Sequence, residues 1–270
     1  MANLKKDIKY AKGILDGTNM GKFDYIYSRS NENLIELFNR LNLCGQDVYT
    51  VLSSSDFLLS AVHQGAKKVD CFDMMALTYR YFHLRKWLAQ YGYIDANGLT
   101  KSSLLQLLKN KNLKLNSKDE RESLLFWEQV LKQVFNTYIY DTILFEPGIK
   151  GTLICDNMRE IAQKLDEYEN ILFENIDICE EIKYDEERKY DVVYLSNIID
   201  HNRERLKIEK LILNLLKLLK DDGSIICTHM SLFEDFELEQ EIFSEHFDYD
   251  EIFVDKTRLQ EITYYRYRKK

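Results

Sequence analysis

Short, nearly continuous apolar runs alternate along this chain with stretches whose apolar residues recur every three or four positions. The runs are "DVYTVL" (47–52), "KKVDCF" (67–72), "NILFEN" (170–175), "YDVVYLS" (190–196), "GSIICTH" (223–229), "FDYDEIFVD" (247–255) and "LQEITYYRYRK" (259–269). Between them lie helical patterns such as "FLLSAVHQG" (57–65), "MREIAQKLDEY" (158–168) and "RLKIEKLILNLLKLLK" (205–220). Apolar strands separated by helices predict a parallel sheet covered on both faces. The last two runs have no helix between them and predict an antiparallel hairpin. The expectation is α/β: a doubly wound, mostly parallel seven-stranded sheet that ends in that hairpin.

One region breaks the alternation. From Tyr91 to about Pro147 the pattern is helical, with "SLLQLLKNKN" followed by "DERESLLFWEQVLKQVFNTYIYDTILF". Leu124, Trp127, Leu131, Phe135 and Tyr138 keep a helical rhythm and give a wide apolar face. This reads as a helical insertion whose face packs on the sheet domain, and the chain's single proline, Pro147, with Gly148 marks its exit. At the other end, Leu4, Ile8, Ala11 and Leu15 predict an amphipathic opening helix. The expected organisation is an N-terminal helical segment over 1–46, a core over 47–91 and 148–270, and the insertion over 92–147.

Composition narrows the class of partner. At 270 residues, with 45% hydrophobic and 30% charged residues, the chain can bury a sizeable core. A formal charge of −8 argues against a broad phosphate-binding surface, so nucleic acid is not the expected partner. Charge interrupts every apolar stretch, so no transmembrane segment is predicted. The five cysteines form no CxxC pair, the histidines show no metal-ligand spacing, and no metal is expected. Free cysteines in apolar runs suit a reducing cytoplasm.

The stretch carrying chemistry is "DVYTVLSSSDFLLSAVHQGAKKVDCFDM", residues 47–74. A chain passing from a parallel strand into a helix gathers free backbone N–H groups at one point, which attracts anionic or polar ligand groups. Residues there must be small. Glycine is the usual choice; this chain writes Ser53, Ser54 and Ser55, whose hydroxyls can hydrogen-bond a ligand. Serine is penalised where φ is positive, so the turn either avoids left-handed geometry or carries strain. Asp56 opens the next helix, where a carboxylate can cap free N–H groups. Asp73, at the tip of the second strand, is placed to accept two hydrogen bonds from a ribose diol, or alternatively to cap the helix that follows.

These residues resemble the first two strands of class I S-adenosylmethionine-dependent methyltransferases. More closely they resemble a bacterial branch related to the diacylglycerol 3-amino-3-carboxypropyl transferases of betaine-lipid synthesis, where a small-residue turn is followed by Asp and the second strand ends in "FD". The upstream "YSRSNENL" (27–34) is similar to a segment of that branch and implies Ser28 and Ser30 near the cofactor's amino-acid end. "FENID" implies Asp177 at the adenine amino group, and "YDVVYLSNIIDH" resembles the fourth strand and its catalytic-side loop, with Ser196 at the cofactor. Met74, beside Asp73, joins the implied cofactor set. The first strand departs from the family in carrying Thr50 where an acid is usual. The resemblance spans about residues 27–90 and 150–270.

The implied cofactor is S-adenosylmethionine, an activated alkyl donor whose use requires a positioned nucleophile and a base where that nucleophile carries a proton. On the fourth-strand loop, Asn197 is a candidate to grip an acceptor, and Asp200 or His201 to take a proton; each is also an ordinary loop residue. The expected activity is transfer to a small-molecule or lipid-like acceptor, methyl transfer first and aminocarboxypropyl transfer second. A protein that keeps the fold and binds a nucleoside without catalysis is the third reading.

Overall fold

The computed structural model describes residues 3–18, 26–27, 32–89, 91–93, 99–109, 117–133, 145–146, 158–167, 171–180, 185, 187–202, 204–230, 236–256 and 261–270. Helix α1 (Leu4–Leu15) is capped by the Asn3 side chain, which accepts the Lys6 N–H. A short strand β1 (Ile26–Tyr27) precedes α2 (Leu34–Arg40). The strand–helix–strand segment carrying the serine turn then forms as expected from its apolar runs: β2 (Asp47–Val51), α3 (Asp56–His63) and β3 (Lys68–Phe72). Three helices follow, α4 (Ala76–Ala89), α5 (Lys101–Leu108) and α6 (Lys118–Leu131), then β4 (Phe145–Glu146), α7 (Met158–Glu167) and β5 (Phe173–Glu174). The chain ends with β6 (Tyr190–Ser196), α8 (Ile198–His201), α9 (Arg205–Leu218), β7 (Leu219–Met230), α10 (Phe236–Ser244), β8 (Phe247–Asp255) and β9 (Ile262–Lys269).

Seven strands form one sheet in the order β5-β3-β2-β6-β7-β9-β8, while β1 and β4 pair separately and in parallel. Neighbours from β5 to β7 run parallel; β9 is antiparallel to both β7 and β8. Counted along the chain, the five parallel strands lie third, second, first, fourth, fifth. The winding therefore reverses between β2 and β6, where the carboxyl edge of a doubly wound sheet opens. Alternate side chains feed the two faces: Val48, Leu52 and Val69 join one core with α2, α3 and α7. Tyr49, Phe72 and Val193 join the other with α9 and α10.

Two strands differ from their apolar runs. Only Phe173 and Glu174 of "NILFEN" pair as β5, the sheet's edge strand. Conversely, β7 begins at Leu219, inside the stretch that reads as helix. Lys220 is drawn out of the helical pattern by Asp47 at 2.7 Å and Asp191 at 2.9 Å, at the amino ends of β2 and β6. The register between β6 and β7 then jumps from Tyr190↔Leu219 to Val192↔Ser224. Gly223 is required in that bulge, because a Cβ there would lie 2.9 Å from Leu219 Cδ2 and 3.0 Å from two carbonyl oxygens.

Helix α4 is buried all round despite its charges. Tyr79, Phe82 and Ala89 join the sheet core. Leu77, Tyr81, Leu84, Trp87 and Leu88 form a third core with Ile8, Ala11 and Ile14 of α1, Leu104 of α5, and Phe126, Trp127, Val130 and Leu131 of α6. Helix α6 starts in a capping box, Ser117 accepting the Glu120 N–H and Glu120 the Ser117 N–H. Its inner face is shifted from the sequence rhythm, since Leu124 is only half-buried; Phe135 and Tyr138 lie outside the described residues. Of the opening 46 residues, α1 thus joins the helical cluster and α2 the sheet core.

Candidate functional site

Strand β2 ends where the Leu52 N–H donates to Phe72 O at 2.8 Å, and the chain turns sharply through Ser53–Ser55. The turn closes with the Ser55 N–H on Leu52 O at 2.5 Å. It carries strain rather than avoiding it: φ is +43° at Ser53 and +67° at Ser55, both in the left-handed region that favours glycine. Something must hold two serines there.

Two groups do. From β3, Asp73 reaches across, one oxygen accepting the Ser53 N–H and the other the Met75 N–H, each at 2.9 Å. From α4, the fully buried Arg85 reaches up with Nη1, donating to Ser54 O at 2.5 Å, Asp56 Oδ1 at 2.6 Å and Ser55 Oγ at 3.3 Å. A positive charge with no access to water is kept only by such a partner set. Asp56 is the first residue of α3, as its sequence position suggests, and its carboxylate meets Arg85 and the Ser54 hydroxyl. The Ser55 hydroxyl turns inward onto Ser54 O at 2.5 Å. Ser54 and Ser55 are therefore buried struts, not hydroxyls aimed outward, and only Ser53 is half-exposed.

Burial pushes the Asp73 carboxyl up to about 6, against the lowering effect of the Met75 and Ser53 N–H groups and the Thr78 hydroxyl. Its backbone is fixed as well: the Ile176 N–H and the Asn175 side chain both donate to Asp73 O. Asp177 follows directly and closes its own turn on the Cys179 N–H at 2.9 Å. Met74, half-exposed at 51%, stands beside Asp73. The structure thus gathers Ser53, Ser54, Ser55, Asp56, Asp73, Met74 and Asp177 at the carboxyl ends of β2, β3 and β5. Ser28 and Ser30 lie outside the described residues.

Ser196 belongs to a second group, at the ends of β6 and β7. It also has a positive φ, +55°, and its hydroxyl donates to Glu32 at 2.5 Å. Thr228 donates to the same oxygen at 3.0 Å, and the Tyr194 hydroxyl donates to the other. Burial first, then the Glu32 charge, holds the Tyr194 phenol well above its usual range, so it stays a donor. Phe57 of α3 stacks on Tyr194 with ring centroids 3.7 Å apart, which ties this group to the helix after the serine turn. On the opposite face, α8 carries Asp200, whose carboxylate takes His229 Nδ1 at 2.6 Å and the Met230 N–H at 2.9 Å. Asn197 Nδ2 lies 3.2 Å from Nε2 of the exposed His201.

Sequence reasoning missed Arg85, Glu32, Thr228 and His229. The one available signal was the pair of arginines, Arg80 and Arg85, among the aromatic and aliphatic residues of "ALTYRYFHLRKWLA"; nothing in "SRSNENL" marks Glu32. A separate cleft of about 770 Å³ lies away from this edge, lined by Lys68 and Asp70 of β3, Ile171 and Phe173 near β5, and Lys118 and Asp119 of α6. The carboxyl edge is the better candidate, because the strained turn and the sheet's reversal meet there. Among the described residues, no helix is long and apolar enough to cross a membrane.

No protein-family model and no curated protein matches the chain. Among solved structures it is similar to the N-methyltransferase NodS from Bradyrhizobium japonicum WM9 in complex with S-adenosyl-L-homocysteine, at 7% identity and a TM-score of 0.40, over 98% of this chain and 86% of that one. It is similar to ribosomal protein L11 methylase from Lactobacillus delbrueckii subsp. bulgaricus at 13% identity and 0.40, over 87% and 77%. The DhpI complex with the same S-adenosyl product (SAH) gives 10% identity and 0.42, over 98% and 96%. Superpositions this loose carry no argument about the site.

Proposed function

We propose that the chain binds S-adenosylmethionine over the carboxyl ends of β2 and β3 and transfers its methyl group to a small-molecule or lipid-like acceptor held over β6 and β7. The observation that carries this reading is the serine turn: two residues held in glycine-like geometry at the point where the sheet's winding reverses, latched to an aspartate on the next strand. Strain kept by a dedicated buried arginine supports a turn that serves a ligand. The five parallel strands, in the order of a doubly wound nucleotide-binding sheet and finished by an antiparallel hairpin, agree with the class I methyltransferase-like resemblance of the sequence.

The donor set fits such a ligand. Each Asp73 oxygen takes one backbone N–H, and a carboxylate oxygen accepts more than one hydrogen bond, so the pair remains an acceptor for the two hydroxyls of a ribose. Ser53 is the turn residue assigned to the cofactor's amino-acid arm, with Ser54, Ser55 and Asp56 held behind it by Arg85. Met74 and Asp177 are assigned to the adenine, and Ser28 and Ser30, by resemblance, to the far arm. Ser196 is assigned to the junction between cofactor and acceptor. The core over 47–91 and 148–270 holds these groups apart from Ser28 and Ser30, and the insertion over 92–147, joined by α1, caps them. The cofactor supplies a sulfonium-activated carbon; the protein's task is to hold that carbon and the nucleophile in line.

Calorimetric titration with S-adenosylmethionine and with adenosine tests the site. Binding is expected for both, and Asp73→Asn is expected to weaken it about 10- to 100-fold, the worth of one to two hydrogen bonds to a charged group. Equal affinity in wild type and variant would place the cofactor elsewhere. Product analysis with a panel of acceptors then decides the chemistry. S-adenosylhomocysteine means methyl transfer; methylthioadenosine means transfer of the aminocarboxypropyl arm, which the "FD" and "SSSD" resemblance supports. Binding with neither product supports a nucleoside-binding protein.

A further inference from the structure

The cleft of about 770 Å³ beside the edge strand β5 lies between the first turns of α1 and α6. It meets β3 through Lys68 and Asp70, at the strand's start and middle, whereas the serine turn and Asp73 stand beyond its far end. The buried part of its wall is apolar: Phe173 with the Tyr79 ring stacked on it, centroids 4.5 Å apart, beside Ile171 and Leu4. The carboxylates in the wall are already engaged. Asp70 takes Lys68 Nζ at 2.6 Å, the Tyr190 hydroxyl at 2.8 Å and the Leu172 N–H at 3.1 Å. Asp119 takes the Tyr79 hydroxyl at 2.8 Å; burial, then the Asp119 charge, holds that phenol above its usual range, so it stays a donor. Glu122 lies 3.8 Å from the buried Arg80. The cations at the rim are held more loosely. Lys118 is 86% accessible and 3.7 Å from Glu122, and Arg188 is 3.5 Å from an Asp185 that is itself exposed. Lys5 is exposed on α1. Lys5 and Lys118 also stand in the first turns of their helices, where a positive charge opposes the helix dipole. That placement costs stability, and an anion beside them offsets the cost.

We infer that this cleft is a second ligand site, separate from the proposed cofactor edge, and that it takes an organic anion: a carboxylate, sulfonate or phosphate carried on an apolar body. The body lies against Phe173, Tyr79 and Ile171, and the anionic head meets Lys5, Lys118 and Arg188 at the rim. The local sign of charge opposes that of the whole chain. Four cations, Lys5, Lys68, Lys118 and Arg188, line the cleft with three carboxylates, in a protein of formal charge −8. A bare inorganic anion uses the rim and leaves the apolar wall wet. An uncharged body covers the wall and leaves the rim unused. Only the two joined in one molecule gain both burial and charge-assisted hydrogen bonds. The volume is that of an ordinary small-molecule site, about 300–1,000 Å³.

The test is a fluorescence titration of the full chain with anilinonaphthalene sulfonate, an aromatic anion, and with phenylnaphthylamine, the same body without the sulfonate. Saturable binding of the sulfonate is expected, with the neutral probe at least about 10-fold weaker. Lys5→Gln and Lys118→Gln are each expected to weaken the sulfonate about 2- to 5-fold, the worth of an exposed ion pair, and the double variant by about the product of the two. Both side chains are exposed and oppose a helix dipole, so the variants are expected to unfold in urea at an unchanged or higher midpoint, which separates lost binding from lost folding. Saturating adenosine or S-adenosylmethionine is expected to leave the probe in place. No saturable binding of the sulfonate overturns the inference, and so does equal affinity for the two probes. Unchanged affinity in the double variant, or displacement of the probe by either nucleoside, places the probe elsewhere and overturns it as well. The lysine variants are read without any cofactor, so a failure of S-adenosylmethionine to bind in calorimetry bears on the cofactor reading alone.

Discussion

At the end of β2 the chain surrounds a cation with oxygens; at the ends of β6 and β7 it surrounds carboxylates with donors. The first arrangement brings a guanidinium, a carboxylate, a carbonyl and a hydroxyl together out of water, each fixed by secondary structure. The second satisfies Glu32 with three hydroxyls that rotate about single bonds, and Asp200 with a ring nitrogen and one N–H. Rigid charge pairing suits a part that must not move, and rotatable neutral donors suit a part where protons are exchanged. The turn is held by a buried ion pair; the far edge is held by hydroxyls, a ring nitrogen and one N–H.

The sharpest way to break this comparison is to remove one member from each side. Arg85→Met leaves Asp56 buried without its cation and is expected to cost about 3–5 kcal/mol of stability, read from urea denaturation. Glu32→Gln keeps the shape and swaps one acceptor oxygen for an NH₂ that the Tyr194, Ser196 and Thr228 hydroxyls can turn to meet. The expected loss there is about 1–3 kcal/mol, at the lower end if all three reorient. Equal losses would mean that the two edges are built alike.

Next in size is the pH response of Asp73. Burial holds its carboxyl at about 6 in the folded chain against 3.8 in an ordinary setting, so the folded state binds this proton more tightly than the unfolded one. Its contribution to stability is therefore fully present below the unfolded value and is lost as pH rises from about 4 through about 6. Ligand binding runs the other way. Ribose hydroxyls donate best to the ionised carboxylate, so affinity for S-adenosylmethionine is expected to weaken as pH falls through about 6. Calorimetry across that window checks it, and Asp73→Asn is expected to abolish the dependence. An unchanged slope in the variant would assign the titration to another group.

How much of this was legible in the sequence depended on whether partners lie near one another in the chain. The strands, the hairpin and the serine turn are local signals of period and residue size, and the turn stands where those signals put it. Helix α4 was not legible, because nothing near Arg80 and Arg85 in the chain names their partners. They are buried because Asp7 lies 73 residues away and Asp56 lies 29 away, and only folding brings them together. Glu32 is further still, 164 residues from Ser196 and 196 from Thr228. The pairing of Asp200 with His229 spans 29 residues and the whole of helix α9, so a histidine that looked scattered proves to be placed. Periodicity finds elements; it is blind to a buried charge whose counter-charge sits on another element.

The smallest predicted effect tests the turn alone. A left-handed φ costs an L-residue about 1–2 kcal/mol relative to glycine, so Ser53→Gly, at φ +43°, is expected to stabilise the chain by about 1 kcal/mol. Ser53 contributes its N–H to the Asp73 latch, and glycine keeps that bond. Ser55→Gly relieves the same strain at φ +67° but loses the hydroxyl that meets Ser54 O and Arg85, about 0.5–1.5 kcal/mol per bond, and is expected to be near neutral. Denaturation midpoints separate the two variants, and calorimetry with S-adenosylmethionine gives the difference its meaning. If Ser53→Gly is more stable and binds more weakly, the half-exposed hydroxyl touches the ligand and the strain serves binding. If it is more stable and binds equally well, the turn acts through its backbone alone, and the three serines are glycine's work done at a cost in stability.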